Sequence, residues 1–131
     1  MAERLLFVGT YEIPSGEYEA WQRANQEMME FVRANEPRVL GFWNYANAER
    51  TEVSTVHLHP DSASLEFHLE AARTRISAGT ALVKMKRLEL YGPVSEKLMA
   101  QLRAVSERSG TWPIHVKDFV QGFTPESSAA E

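Results

Sequence analysis

Apolar residues recur along this chain in two periods, and each change of period marks a change of element. Leu5 to Tyr11 is an apolar run of strand formers and predicts a first strand. Pro14-Ser15-Gly16 breaks it, and Glu17 and Glu19 stand where a helix N-terminus favours acids. Tyr18, Trp21, Asn25, Met28, Met29 and Val32 then recur at helical spacing, which predicts an amphipathic helix from Gly16 to Asn35, stopped by Pro37. Val39 to Ala46 and Thr51 to His59 read as two strands joined by the polar loop Asn47-Ala48-Glu49-Arg50, an antiparallel hairpin. After Pro60, Asp61 or Ser62 caps a second helix with the stripe Leu65, His68, Leu69, Ala72 and Ile76.

From Ser77 to Lys86 the pattern is hardest to read. Val83 and Met85 alternate with lysines, but the apolar phase then passes to Leu88 and Leu90. A bulged strand fits, and so does a short helical turn before a strand at Arg87 to Tyr91. The second arrangement is the expected one. Gly92-Pro93 ends the strand. Ser95 caps a third helix with Leu98, Met99, Leu102 and Val105 inward, closed near Gly110. Ile114 to Phe123 reads as a last strand, and the small, polar stretch 124–131 as a disordered tail. The order β-α-β-β-α-β is the ferredoxin-like arrangement, α+β with an antiparallel sheet, here followed by an extra helix and strand. Residues 1–123 form one domain, with no repeat or linker.

The first three strands carry large apolar residues at both parities, with Leu5, Phe7 and Tyr11 against Leu6 and Val8, and Trp43 and Tyr45 against Leu40 and Phe42. An antiparallel sheet with one wet face alternates cleanly instead. Two apolar faces call for two covers. Helices supply one, and a second copy of the sheet is the expected other, giving a homodimer. The alternative cover is the extra C-terminal helix.

Composition narrows the partners. The chain has 131 residues, is 44% hydrophobic and carries a net charge of −4. Its Lys and Arg are scattered among acids, so no basic stripe marks a nucleic-acid surface. There is no cysteine, which removes disulfides, thiolate nucleophiles and cysteine metal sites. No run approaches the ~18 apolar residues of a membrane span, and Met1-Ala2-Glu3-Arg4 lacks the positive start of a signal peptide. A soluble, cytoplasmic protein with neither nucleic acid nor membrane as partner is expected. Dinucleotide, phosphate-loop and nucleophile-elbow motifs are absent from the sequence.

The opening apolar strand, the hairpin Val39 to His59, the helix Ser62-Ala63-Ser64-Leu65-Glu66-Phe67-His68-Leu69, the strand end Leu88-Glu89-Leu90-Tyr91-Gly92 and the closing Gly122-Phe123 together resemble the antibiotic biosynthesis monooxygenase-like family of dimeric α+β barrels. The resemblance covers Arg4 to Gly92. It implies a homodimer whose two sheets face each other, with a cavity between each sheet and its helices. It also implies oxidation of phenolic or quinol-like substrates without flavin or metal, so no cofactor. His68 matches a helix 2 histidine frequent in quinol-oxidising members. Ala72 and Arg73 stand where a second histidine often follows. Haem-degrading relatives carry a tryptophan and a later histidine where this chain has His68-Leu69 and Ala78-Gly79, so haem degradation is not expected.

Several residues could carry chemistry. His68 lies on the apolar stripe of its helix, where a buried neutral imidazole could act as general base toward a phenol, or simply bond a backbone carbonyl. His57 and His59 are two apart on a strand and share a face, so with His68 they could bind a metal. Two-His spacing alone is weak, and ordinary rim histidines are the expected reading, with no metal. Asn44 and Tyr45 are candidate polar orienters of substrate. Trp43, Tyr11, Trp21 and Met28 are candidate wall residues of an apolar pocket, although packing explains them as well. Gly41 could leave room beside the aromatics for a flat ligand. Arg73 and Arg75 read as a solvated helix end or an anion clamp, the first being expected. The expected function is a cofactor-independent monooxygenase acting on a small aromatic, quinol or polyketide-like compound. The alternatives are a non-catalytic binding or stress-related homodimer, and a non-oxidative isomerase or cyclase of the same fold.

Overall fold

The computed structural model describes residues Arg4 to Pro125. Nine elements follow in order: β1 (Leu5–Glu12), α1 (Tyr18–Asn35), β2 (Gly41–Ala46), β3 (Glu52–His59), α2 (Ser62–Ala71), α3 (Arg73–Thr80), β4 (Lys84–Tyr91), α4 (Glu96–Arg108) and β5 (Ile114–Lys117). The five strands make one sheet in the order β2-β3-β1-β4-β5. Neighbours within β2-β3-β1-β4 are antiparallel, and β5 adds in parallel to β4. That is the ferredoxin-like sheet with one strand appended.

Each strand sends alternate side chains to the helices. Leu5 and Phe7 of β1, Val53, Thr55, His57 and His59 of β3, and Leu88 and Leu90 of β4 are all buried on that face. Two apolar clusters result. Leu5, Phe7, Leu65, Leu88, Leu90, Leu98, Leu102 and Trp112 gather under α2 and α4. Ile13, Trp21 and Val53 gather under α1. Ser95 caps α4 by accepting from the Leu98 amide at 3.0 Å, and Asp61 caps α2 by accepting from the Ser64 amide at 3.0 Å. Gly92 turns the chain out of β4 at φ +123, and a Cβ there would lie 2.3 Å from the Arg4 carbonyl oxygen, so only glycine fits.

Three expectations change, and one alternative falls away. The second helix is two: it breaks at Ala72 (φ −97, ψ 12), and α3 continues at Arg73 without a side-chain cap or a buried residue. The fourth strand begins at Lys84, three residues before the expected Arg87. Its ladder opposes Arg87 to Thr10 and Met85 to Tyr11, so Lys86 is the extra residue of a bulge, and its ammonium bonds Glu52 at 2.9 Å. The bulge explains the apolar phase shift. The last strand stops at Lys117 rather than Phe123, because its partner runs out: Lys117 opposes Tyr91, and its carbonyl receives the Gly92 amide at 2.9 Å. The expected tail lies mostly outside the described residues. Finally, α4 packs with α2 on the helix side, so it does not cover the second sheet face. That face presents rows such as Trp43–Val56–Val8, with Trp43 and Tyr45 themselves exposed.

Candidate active site

Between the two apolar clusters the helix side of the sheet turns polar. β3 brings in His57 and His59, α2 brings in His68 and Ser64, and the end of α1 brings in Glu36; all five are at least nine-tenths buried. α1 terminates when the Glu36 amide bonds the Val32 carbonyl at 2.9 Å, and Pro37 then turns the chain toward β2. That turn directs the Glu36 side chain inward. His68 Nδ1 donates to Glu36 Oε1 at 2.8 Å. A carboxylate can only accept, so the proton of this bond sits on Nδ1. Nε2 has no hydrogen-bond partner among the described residues, and the ring lines a cavity of about 100 Å³. Glu36 Oε2 is buried without any partner.

His57 is clamped between Phe7 and Phe42, with ring centroids 4.2 and 4.3 Å away and nearly parallel planes. Its ring stands edge-on to His68 at 5.0 Å. His57 Nδ1 lies 3.4 Å from His59 Nε2, and His59 Nδ1 lies 2.8 Å from Ser64 Oγ. The Asp61 cap holds the Ser64 backbone in place for that last contact. Burial, then the neighbouring His68 and His59, holds His57 well below the ordinary histidine range. Burial likewise holds His59 at about 4, with His68 and Arg38 adding to it and Asp61 opposing it. Both rings are therefore neutral near pH 7. The chain Ser64–His59–His57 can then run as successive donors, which leaves an N–H on His57 Nε2 to offer the cavity.

The rest of the wall is mostly apolar, with Asn25, Thr55, Thr80 and Arg75 as its polar members. Phe7, Tyr11, Trp21, Met28 and Phe42 line it. Gly9 makes room for Tyr11, whose hydroxyl would lie 2.7 Å from a Cβ there. Burial pushes the Tyr11 phenol up to about 12, opposed by its hydrogen bond with Thr55.

The structure thus brings His68, Tyr11, Trp21 and Met28 to one cavity. It removes two candidates. Trp43 and Tyr45 lie on the opposite face of the sheet, exposed by 44% and 60%, because strand alternation sends them away from Phe42 and Asn44. The Trp43 ring folds over Gly41, where a Cβ would meet it at 2.1 Å, so no space remains there for a flat ligand. Asn44 does face the helices, but it is occupied in structure. It exchanges two hydrogen bonds with Asn25 at 2.8 and 3.0 Å and accepts from Thr55 at 2.9 Å. His57 and His59 are not rim residues; they are core. Among the described residues no group of three or more His, Asp or Glu is arranged to hold a metal ion.

Glu36 went unnoticed in the sequence, yet a signal was there. A carboxylate at a helix C-terminus opposes the helix dipole, and a Glu in that place beside Pro37 needs a reason. Asn25, Thr55 and Phe42 were also not singled out, since nothing in their spacing separates them from packing.

No protein-family model matches the chain, and no curated protein matches it in sequence. Solved structures do match. MupZ from Pseudomonas fluorescens superposes with a TM-score of 0.76 at 21% identity, covering 97% of this chain and 93% of its own. SnoaB, a cofactor-independent oxygenase from Streptomyces nogalater, gives 0.61 at 13% identity, covering 72% of this chain and 96% of its own. A protein from Caulobacter crescentus, named as a candidate antibiotic biosynthesis monooxygenase, gives 0.62 at 15% identity, covering 72% and 92%. The chain has the ferredoxin-like α+β fold of these proteins. The match to MupZ extends over α4, whereas the two oxygenase matches each leave more than a quarter of this chain uncovered. No helix among the described residues is long and apolar enough to cross a membrane.

Proposed function

We propose that this chain is a cofactor-independent acid–base enzyme acting on a small, largely apolar molecule. The observation that carries this reading is the buried His68–Glu36 pair, whose imidazole lines a mostly apolar cavity. His68 takes a proton from an acidic O–H or C–H of the substrate, and Glu36 stabilises the resulting imidazolium through Nδ1–H. Neutral His57 donates to the oxygen on which charge develops, and its two flanking phenyl rings hold it in place. The unpartnered Glu36 Oε2 costs stability on the order of 1–3 kcal/mol, which supports a catalytic reason for keeping the carboxylate. A cavity plugged by Trp21, Trp43 and Met28 would have favoured a non-catalytic dimer; here Trp21 and Met28 stand at the wall of an open one and Trp43 lies outside it.

Two outcomes follow from the same proton transfer. With a phenol or quinol-like substrate, the deprotonated ring is electron-rich enough to react with dioxygen. One oxygen atom then enters the substrate and the other leaves as water, as the fold of SnoaB makes reasonable to test first. Without dioxygen, the same base and donor isomerise the substrate or close a ring. The pairing of His68 with an adjacent donor, His57, 5.0 Å away between ring centroids, supports this second outcome. Quinols, anthrones and hydroxylated polyketide-like compounds are assayed with and without dioxygen, following oxygen uptake and product mass. His68→Gln is expected to lower kcat about 10²–10⁴-fold in either atmosphere. Wild-type turnover in that variant would sink the reading.

The uncovered sheet face supports a homodimer built sheet to sheet, with Trp43, Tyr45, Val8 and Val56 at the contact. Sedimentation of the wild type is expected to give a dimer and Trp43→Glu a monomer; a monomeric wild type refutes it.

A further inference from the structure

The cavity that holds His68 is not alone. A second cavity of about 70 Å³ shares six wall residues with it: Phe7, Tyr11, Leu69, Ile76, Thr80 and Val83. It continues on to Leu88, Leu102 and Trp112 and is almost wholly apolar. Three of the shared residues come from α3 and the turn that follows it. α3 has no buried side chain and no capping side chain, and a Cβ on its Gly79 would touch nothing within 4 Å. It roofs both chambers.

Among the described residues, the first cavity has one permanently charged wall residue, Arg75 on α3. Arg75 is exposed and pairs with no carboxylate among the described residues; its guanidinium rests on the Phe31 ring, 4.1 Å from the centroid. An arginine held by stacking keeps its hydrogen-bonding edge free for an anion. Arg73, two residues earlier, does not line the cavity.

We propose that the two chambers form one slot for an elongated molecule with an apolar body and a single carboxylate end. Arg75 holds the carboxylate at the mouth, and the body runs beneath α3 past His68 toward Trp112. This names the substrate class of the site and rests on the acid–base reading of His68. Of the two readings the sequence offered for Arg75, a solvated helix end and an anion clamp, the proposal takes the second.

The test uses decanoate, decanol and hexanoate as probes, at pH 7.5, below micelle-forming concentrations, with affinity read by titration calorimetry on the full chain. Decanoate is expected to bind about tenfold or more tightly than decanol, since only it can pair with the guanidinium. Hexanoate, four methylenes shorter, is expected to lose at least about tenfold. Arg75→Gln should weaken decanoate about tenfold while leaving decanol unchanged, and Arg73→Gln should leave both unchanged. Equal affinity for decanoate and decanol, an Arg75→Gln variant like wild type, equal loss in Arg73→Gln, hexanoate as tight as decanoate, or no binding of any probe each overturns the proposal. Its fate is separable from that of the catalytic reading. Decanoate behaving as expected while His68→Gln stays active removes only the base; the reverse pair of results removes only the anion anchor.

Discussion

The two ends of the helix-covered face obey different rules. Under α2 and α4, Leu65, Leu88, Leu90, Leu98 and Leu102 are fully or almost fully buried, and most polar groups there are paired: Ser106 Oγ donates to the Trp112 carbonyl at 2.7 Å, and Trp112 Nε1 donates to Ser109 Oγ at 3.0 Å, while the neutral Gln101 Oε1 of α4 has no partner among the described residues. Where β3 faces the end of α1 and the middle of α2, burial is spent on three histidines and a glutamate, Glu36 Oε2 has no partner among the described residues, and the cavity beside His68 remains open. The first region makes the protein stable, and the second uses that stability to keep ionisable groups dry. The difference teaches where to look for function in a fold of this kind: at the place where the sheet side stops packing well.

Three experiments sharpen that contrast. The largest loss of stability is expected from Leu65→Ala, in the packed region. It should cost about 2–5 kcal/mol in urea unfolding while kcat at low temperature stays near wild type. A severe kinetic loss without a stability loss would show that the two regions are not separate.

Acidification probes the second region. His57 and His59 both have folded values below the ordinary 6.5. The unfolded chain therefore binds protons first, so stability is fully present above pH 6.5 and is lost as pH falls from 6.5 toward about 4. For His59 alone the loss is on the order of 3 kcal/mol, given its shift from 6.5 to about 4. Urea midpoints at pH 7.5, 6.0 and 4.5 should show it, and His59→Gln should flatten the slope. A wild type with the same slope as the variant contradicts the assignment.

The smallest change in stability is expected from Glu36→Gln. It removes a buried charge but leaves one amide atom unpaired where Oε2 stood, so the midpoint should change little. Turnover should nevertheless fall at least about tenfold, because the amide can set the wrong His68 tautomer. Unchanged turnover would leave Glu36 as a structural acid only.

Much of this architecture could be read from the chain itself. β1, the hairpin of β2 and β3, and both capped helices follow from period and capping residues, and Asp61 and Ser95 cap where the pattern places them. The errors have local causes. Lys86 bulges, and a bulge shifts the apolar phase in a way that looks like a change of element. Phe119, Val120 and Phe123 are strand formers, but no strand edge reaches them after Tyr91. The site was legible in part. His68 stood out because a polar residue on an apolar stripe is unusual. His57 and His59 read as rim residues because alternation says which residues share a face, not which face is covered. The same ambiguity sent Trp43 and Tyr45 toward the wrong side. Glu36 is distant in sequence from His68, and only the turn at Pro37 brings them together.

The position of β1 has a consequence for how the protein is made. It is the middle strand, and its two ladders join residue 5 to residue 59 and residue 6 to residue 91. β1 leaves the ribosome before both of its partners and therefore cannot complete its pairing until β4 has been synthesised. Until then Leu5, Leu6, Phe7 and Val8 remain a sticky, unsatisfied segment on the nascent chain. Such long-range closure makes for slow folding and a need for protection in the interval.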